Sequence, residues 1–205
     1  MTLAVGAESL PLALIAIVAG YSLGLFPSAA IVARRSGVNV HAEGSGNPGA
    51  SNITRLLGWK AGVVVFAMDG AKGIAAAGVG ALADGRLGAY ICGFAAVVGH
   101  IFPLTNRLKG GKGVATGAGV VLAVAPLVSL IVIATWFVIS RTTGKSSVAS
   151  IVAVLLVPLG IGLRGGTAWE IIGVVAVCAL IIARHAENIR RLLAGAEHGL
   201  KHDKS

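Results

Sequence analysis

The stretch VATGAGVVLAVAPLVSLIVIATWFVI, residues 114–139, decides how this chain folds, because it carries no charge over 26 residues. A helix that crosses a bilayer needs ~20 apolar residues. The stretch is therefore either one tilted helix or two short ones broken near Pro126, whose ring cannot continue a helix. Its flanks choose between them. Arg107, Lys109 and Lys112 precede it in the loop 105–113, and Arg141 and Lys145 follow it in the loop 141–147. Lys and Arg accumulate in cytoplasmic loops. Both loops lie on that side only if the chain between them crosses twice, so we read two short helices turning near Pro126.

Further apolar runs lie on either side: Leu10 to Val32, Ala61 to Leu82, Leu87 to about Leu104, Val148 to Leu163 and Ile171 to Ile182. Asp84-Gly85-Arg86 and Arg164-Gly165-Gly166 read as tight turns. With 34–60, 105–113, 141–147 and the tail from Arg184 inside, fourteen of the seventeen Lys and Arg are cytoplasmic. The outer turns keep Arg86 and Arg164, and Lys72 lies within a span. The expectation is an all-α polytopic membrane protein of seven transmembrane helices, N-terminus outside and C-terminus cytoplasmic. It forms a single domain over 1–205, with the lipid bilayer as its surroundings.

Composition agrees. The chain is 56% hydrophobic and 12% charged, where a soluble domain carries ~25% charge. A net charge of +9 raises nucleic acid as a partner, but the cations sit in short gaps between apolar runs, so no nucleic acid is expected. Cys92 and Cys178 lie inside apolar runs without metal-like spacing and read as small core residues. The first run begins after Glu8 and ends on Arg34 and Arg35, an order that suits a retained span better than a cleaved leader. Gly20 and Gly24 form a small-residue pair for helix packing.

Three polar islands interrupt this pattern. The loop 44–55, GSGNPGASNITR, supplies Ser45, Asn47, Ser51 and Asn52, then Arg55, whose planar fork suits phosphate. The second is GHIFP at 99–103 with GGKGVATG at 110–117. It fails the phosphate-loop pattern, since Gly113 rather than Ser or Thr follows Lys112. What remains is Gly110, Gly111, Lys112, Gly113 and Thr116 at the start of a membrane helix, where anions are favoured. The third is RHAENIRRL at 184–192, with His185 and Asn188 on one helix face. Glu187 and Glu197 read as partners of nearby arginines. Asp69 and Lys72, three apart within a span, read as an internal ion pair that orients the loops. No carboxylate or His cluster suggests a metal, and no cofactor is expected. Cations, neutral donors and a histidine on one side point to chemistry on an anion; a small transporter of an anionic solute is the rival reading.

The loops GSGNPGASNITR, GHIFP with GGKGVAT, and RHAENIRRLLAGAE resemble the three signature loops of the bacterial acyl-phosphate:glycerol-3-phosphate acyltransferases, the PlsY family. DGAKG in the second span is similar too. The resemblance covers nearly the whole chain. It implies a seven-helix inner-membrane enzyme that moves a fatty acyl group from acyl phosphate to the 1-position of glycerol 3-phosphate, giving lysophosphatidic acid. A monomer is expected. It implies that Ser45 and Arg55 are the essential pair of the first loop, with Asn52 its second asparagine and Ser51 standing where threonine is common. It implies that Gly110, Gly111, Lys112 and Gly113 form the glycerol-phosphate loop, that His185 and Asn188 belong to the third, and that Glu197 is structural, as His100 is. The stretch 145–150 departs from the family pattern, leaving Ser150 as the candidate there and Ser147 behind it. On this reading Arg55 and Lys112 meet phosphate charge. Ser45, Asn52 and Asn188 position substrate and stabilise the oxyanion. His185 is a general base or a phosphate ligand, the second being preferred.

Overall fold

The computed structural model describes residues 9–200, so Glu8, Lys201 and Lys204 of the charge pattern lie outside the described residues. Among these residues the chain is helical throughout, without a strand. The first apolar run breaks into α1 (Ser9–Gly24) and α2 (Ser28–Arg35), because Pro27 cannot donate into the helix. The first polar loop leads into α3 (Ala50–Leu57).

The next element, α4 (Trp59–Ile101), holds non-helical backbone at Asp84 and at Gly85, whose φ is +50°. There the chain doubles back. Gly80 and Gly88 would sit ~12 Å apart along one continuous helix. Instead a Cβ placed on Gly80 would come 2.0 Å from the Gly88 carbonyl oxygen. The two arms are an antiparallel hairpin pressed together at glycines. The second arm packs on α1, as the small-residue pair predicts: Cβ atoms on Gly20 and Gly24 would strike the Cys92 and Ala96 carbonyls at 2.1 and 2.2 Å. The first arm packs on α5 (Val114–Val124), with Gly73 against the Thr116 carbonyl.

The 114–139 stretch is broken where expected. Pro126 opens α6 (Pro126–Thr143), which runs past Ile139 through Arg141. Then come α7 (Ser146–Leu163), α8 (Ala168–Ala183) and α9 (Ala186–Leu193), the last pair bent by 55°. By length and composition Ala13–Arg35, Trp59–Asn106, Pro126–Thr143 and Ser146–Leu163 can cross a membrane, and α8 with α9 adds a fifth if the bent pair is one span. Val114–Val124 is shorter.

At the end of the bundle away from the polar loops, buried Glu170 gathers three partners. Its Oε1 accepts from Arg86 Nε at 2.7 Å and from Arg164 at 2.9 Å, and its Oε2 closes a capping box with Thr167. Arg164 also donates to the Tyr90 hydroxyl at 2.9 Å. The turn in α4 and the α7–α8 turn are thus clamped to each other, and helix order at the other end is fixed.

Candidate active site

The loop before α3 is built around Asn52, which is 1% exposed. Its Oδ1 accepts the Ser45 N–H at 2.8 Å, and its Nδ2 donates to the Val40 and Glu43 carbonyls at 3.3 and 3.1 Å. Gly44 makes room: its φ is +60°, and a Cβ there would lie 2.3 Å from Asn52 Oδ1. Asn52 was expected to touch substrate. Its amide is instead spent on shaping the loop, which leaves Ser45, Asn47 and Ser51 half-buried around the start of α3.

Gly110 and Gly111 are corrected in the same sense. Their N–H groups donate to the Ile101 and His100 carbonyls at 3.2 and 3.1 Å, so they cap the end of α4 rather than cradle an anion. Side chains are excluded there by contact: a Cβ on Gly110 would meet the His100 carbonyl at 2.0 Å, and one on Gly111 would meet His100 Nε2 at 2.2 Å. Gly113 precedes α5 in the left-handed region, φ +87°. This clamp rests on the expected ion pair. Lys72 Nζ lies 2.9 Å from Asp69 Oδ1, and it donates to His100 Nδ1 at 2.7 Å and to the Phe26 carbonyl at 3.1 Å.

Lys112, freed by that clamp, donates to Asn188 Oδ1. Asn188 Nδ2 donates to Glu197 Oε1 at 2.7 Å, and Arg191 Nε donates to Glu197 Oε2 at 3.0 Å. Arg191 also faces Glu187 at 3.6 Å, so both acids pair with an arginine as the sequence suggests. Arg55 reaches across from α3 and donates from Nε to the Gly199 carbonyl at 2.7 Å. The Leu200 N–H donates to Gly144 at 2.8 Å. The tail therefore straps the first loop to the loop before α7. The structure thus brings Arg55, Lys112, His185, Asn188 and Glu197 together.

Charge in this cluster is set by burial. Burial pulls the Lys112 ammonium down to about 8, with Arg191 and Arg55 adding to the effect and Glu197 opposing it. Burial raises the Glu197 carboxyl, but Asn188, the adjoining Ser147 and Arg191 outweigh it and hold the group below its usual value. His185 is 2% exposed. Its Nδ1 lies 2.8 Å from the Ile181 carbonyl, which only accepts, so Nδ1 carries the proton and Nε2 keeps a lone pair. Burial lowers this imidazole to about 4, and it is neutral near pH 7.

Two expected residues lie elsewhere. Ser150 is buried between α6 and α7, where it accepts the Trp136 indole N–H at 3.0 Å. Thr116 is fully buried on α5 against the first arm of α4, its hydroxyl without a hydrogen-bond partner. The serine adjoining Glu197 is Ser147, 4% exposed, its buried hydroxyl making no hydrogen bond. Arg191 is one of the arginines expected to pair with Glu187 and Glu197. The tail residues Gly199 and Leu200 carry no signal in the sequence, because their contacts are made by backbone.

An apolar pocket lies close to this cluster. Val114, two residues after Lys112, lines it, and so does Ile181, whose carbonyl holds His185. Phe66, Phe94, Gly117 and Trp136 are further walls. Among the described residues, no three His, Cys, Asp or Glu side chains come together to hold a metal. Cations and amides thus lie next in the chain to residues that line an apolar pocket, a pairing that suits an amphiphile reacting at its polar end.

A family model described as glycerol-3-phosphate acyltransferase matches residues 14–195. A glycerol-3-phosphate acyltransferase of Rhizobium etli (strain CIAT 652) is 38% identical over 191 residues, 92% of each chain. One from Aquifex aeolicus (strain VF5) is 40% identical over 189 residues, 91% of this chain and 98% of its own. Among solved structures, the glycerol 3-phosphate form of PlsY (YgiH), an integral membrane glycerol 3-phosphate acyltransferase, superposes with a TM-score of 0.86 at 40% identity. It covers 91% of this chain and 94% of its own. The lysophosphatidic acid form superposes at 0.84.

Proposed function

The chain belongs to the glycerol-3-phosphate acyltransferase family, and from that premise we propose that its acyl donor is an acyl phosphate and its product 1-acyl-glycerol 3-phosphate. The observation that carries this is the link between cluster and pocket: Val114, two residues after Lys112, and Ile181, whose carbonyl receives the His185 Nδ1 proton, both line the apolar pocket. A donor with its chain in the pocket presents its carbonyl carbon and phosphate to the cations.

An acyl phosphate is already activated, so the site must align two anions and stabilise the carbonyl oxyanion. The 1-hydroxyl oxygen of glycerol 3-phosphate attacks the carbonyl carbon. The bond from that carbon to the phosphate oxygen breaks, and inorganic phosphate leaves with the electron pair. Arg55 and Lys112 take the phosphate charge. Ser45 and Asn188 supply neutral donors, while Asn52 and Glu197 hold the loops that present them. His185 accepts a hydrogen bond from the attacking hydroxyl through Nε2. It is a poor final base: burial keeps it at about 4, whereas a phosphate monoester has its second pKa near ~6. The proton goes to the departing phosphate. This changes the preferred role of His185 from phosphate ligand to hydroxyl acceptor, because its donor nitrogen is already committed.

The seven-span topology, with N-terminus outside and the cluster facing the cytoplasm of a bacterial inner membrane, belongs to the same proposal. It is supported by the reversal at Asp84 and Gly85 within Trp59–Asn106, by the break at Pro126, and by the distribution of Lys and Arg. A monomer is proposed with it, since the cluster is assembled within one chain. The reaction is tested with purified protein in lipid, offering palmitoyl phosphate or palmitoyl-CoA with glycerol 3-phosphate. Lysophosphatidic acid from the phosphate alone is expected. Product from the thioester alone refutes the donor, and uptake into vesicles without product favours the transporter.

A further inference from the structure

A second pocket has Gly110 and Gly111 in its wall, and neither Lys112, His185 nor Asn188 lines it. Its other walls are the break between α1 and α2, the end of α4 with the loop after it, and His41 and Pro48 of the first polar loop. The mechanism above uses none of it.

Its lining is built for an anion. Ser28 is 1% exposed, and its buried hydroxyl makes no hydrogen bond. It opens α2, and Ala29 and Ala30 follow it along the same wall. Backbone N–H groups in a first turn have no carbonyl one turn earlier, and they attract negative charge. His100 adds a polar ring, its Nδ1 2.7 Å from Lys72 Nζ and 3.5 Å from Asp69 Oδ1.

Full charges complete it. Arg34 and Lys109 are exposed and line the cavity. Asp69 is the acid in the wall, and Lys72 neutralises it at 2.9 Å while giving its other protons to His100 and Phe26. Two positive charges remain, which a phosphate dianion balances. Leu25, Phe26 and Ile31 give the cavity an apolar edge, with Phe26 48% exposed.

We propose that this cavity is a second phosphate-binding site, separate from the Lys112 site, that takes either the free ion or the phosphomonoester headgroup of a lysolipid. The choice of these two sources rests on the acyl-transfer reading, because both are its products. The site itself rests on the residues just named.

The test is a binding stoichiometry, not a rate. The full chain in nanodiscs of neutral phosphatidylcholine is dialysed against radiolabelled inorganic phosphate. Two phosphates per chain are expected. Lys112→Ala should leave one, and the exposed double replacement Arg34→Gln with Lys109→Gln should leave the other. Ser28→Val, which keeps the volume and removes the hydroxyl, should weaken the second site roughly tenfold. Hexanoyl lysophosphatidate that displaces the phosphate sensitive to Arg34→Gln identifies the lysolipid as occupant; displacement at the Lys112-dependent site alone identifies the free ion. Fewer than two phosphates on the wild-type chain overturns the proposal, and so does a second phosphate indifferent to the Arg34, Lys109 and Ser28 replacements. A chain that binds two phosphates yet transfers no acyl group would overturn the reaction and leave this site standing.

Discussion

Replacing Lys112 by methionine sets stability against function in one experiment. Burial moves the ammonium from 10.5 to about 8 in the folded chain. Each pKa unit is ~1.4 kcal/mol, so carrying the charge at neutral pH costs the fold roughly 3 kcal/mol relative to the unfolded state. Methionine has a similar length and no charge. It removes that cost and loses one charge-assisted hydrogen bond to Asn188, itself about 1.5–3 kcal/mol. Thermal stability, followed by tryptophan fluorescence in detergent, should hold or rise. Affinity for glycerol 3-phosphate should fall roughly ten- to a hundredfold, because a phosphate contact of the same ~1.5–3 kcal/mol is gone. The sign with pH follows. Phosphate binding needs the ammonium, so in the wild-type chain affinity should decline as pH rises through about 8, and in Lys112→Met that decline should vanish. A melting temperature lowered by several degrees with KM unchanged would refute the reasoning and make Lys112 a structural cation.

Other outcomes follow from the same geometry. His185 stays neutral down to about 4 in the folded chain and titrates near 6.5 when unfolded. The unfolded state therefore binds the extra proton, and roughly 3 kcal/mol of stability should be lost as pH falls from 6.5 towards 4; His185→Gln should flatten that slope. The same variant should lose no more than about tenfold in turnover if it only orients a hydroxyl, and a loss beyond a thousandfold in folded protein would restore His185 as the base. Glu197→Gln leaves Arg191 without its nearest carboxylate and disturbs Asn188, so both stability and KM should worsen, by about 2–4 kcal/mol for stability; an unchanged melting temperature contradicts this. Chelators should leave turnover intact, and rescue by magnesium after its loss would show a metal that these residues do not suggest. Cysteines placed at 85 or 165 should be labelled from the outer face and those at 46 or 109 should not; labelling at 46 from outside would invert the topology.

How much of this was legible depends on the kind of interaction. Helix limits follow from apolarity and proline, which act locally, and the break at Pro126 is where the sequence puts it. Pro27 carries the same signal. The run from Leu10 to Val32 is apolar on both sides of it, and the helix breaks there. The pairing of Asp69 with Lys72 is legible at a spacing of three. The roles of Asn52, Gly110 and Gly111 were not. Whether an amide is offered to a ligand or spent on a carbonyl depends on partners such as Val40 and His100, which the sequence does not place. Ser150 and Ser147 lie on one helix three residues apart, and only the packing of α6 and the tail tells which faces Trp136 and which faces Glu197.

The relay from Lys112 through Asn188 to Glu197 has a polarity, and that polarity bears on how the protein ages. Asn188 must offer an oxygen to the ammonium and one hydrogen to the carboxylate. Only an amide presents both, because a carboxylate accepts at either end. Spontaneous deamidation of this one side chain exchanges an NH2 for an oxygen and leaves the shape unchanged. It would set two negative groups against each other at 2.7 Å and give Lys112 a carboxylate in place of the phosphate proposed for it. A molecule so altered would keep its helices and its place in the bilayer while its site was closed by its own charge.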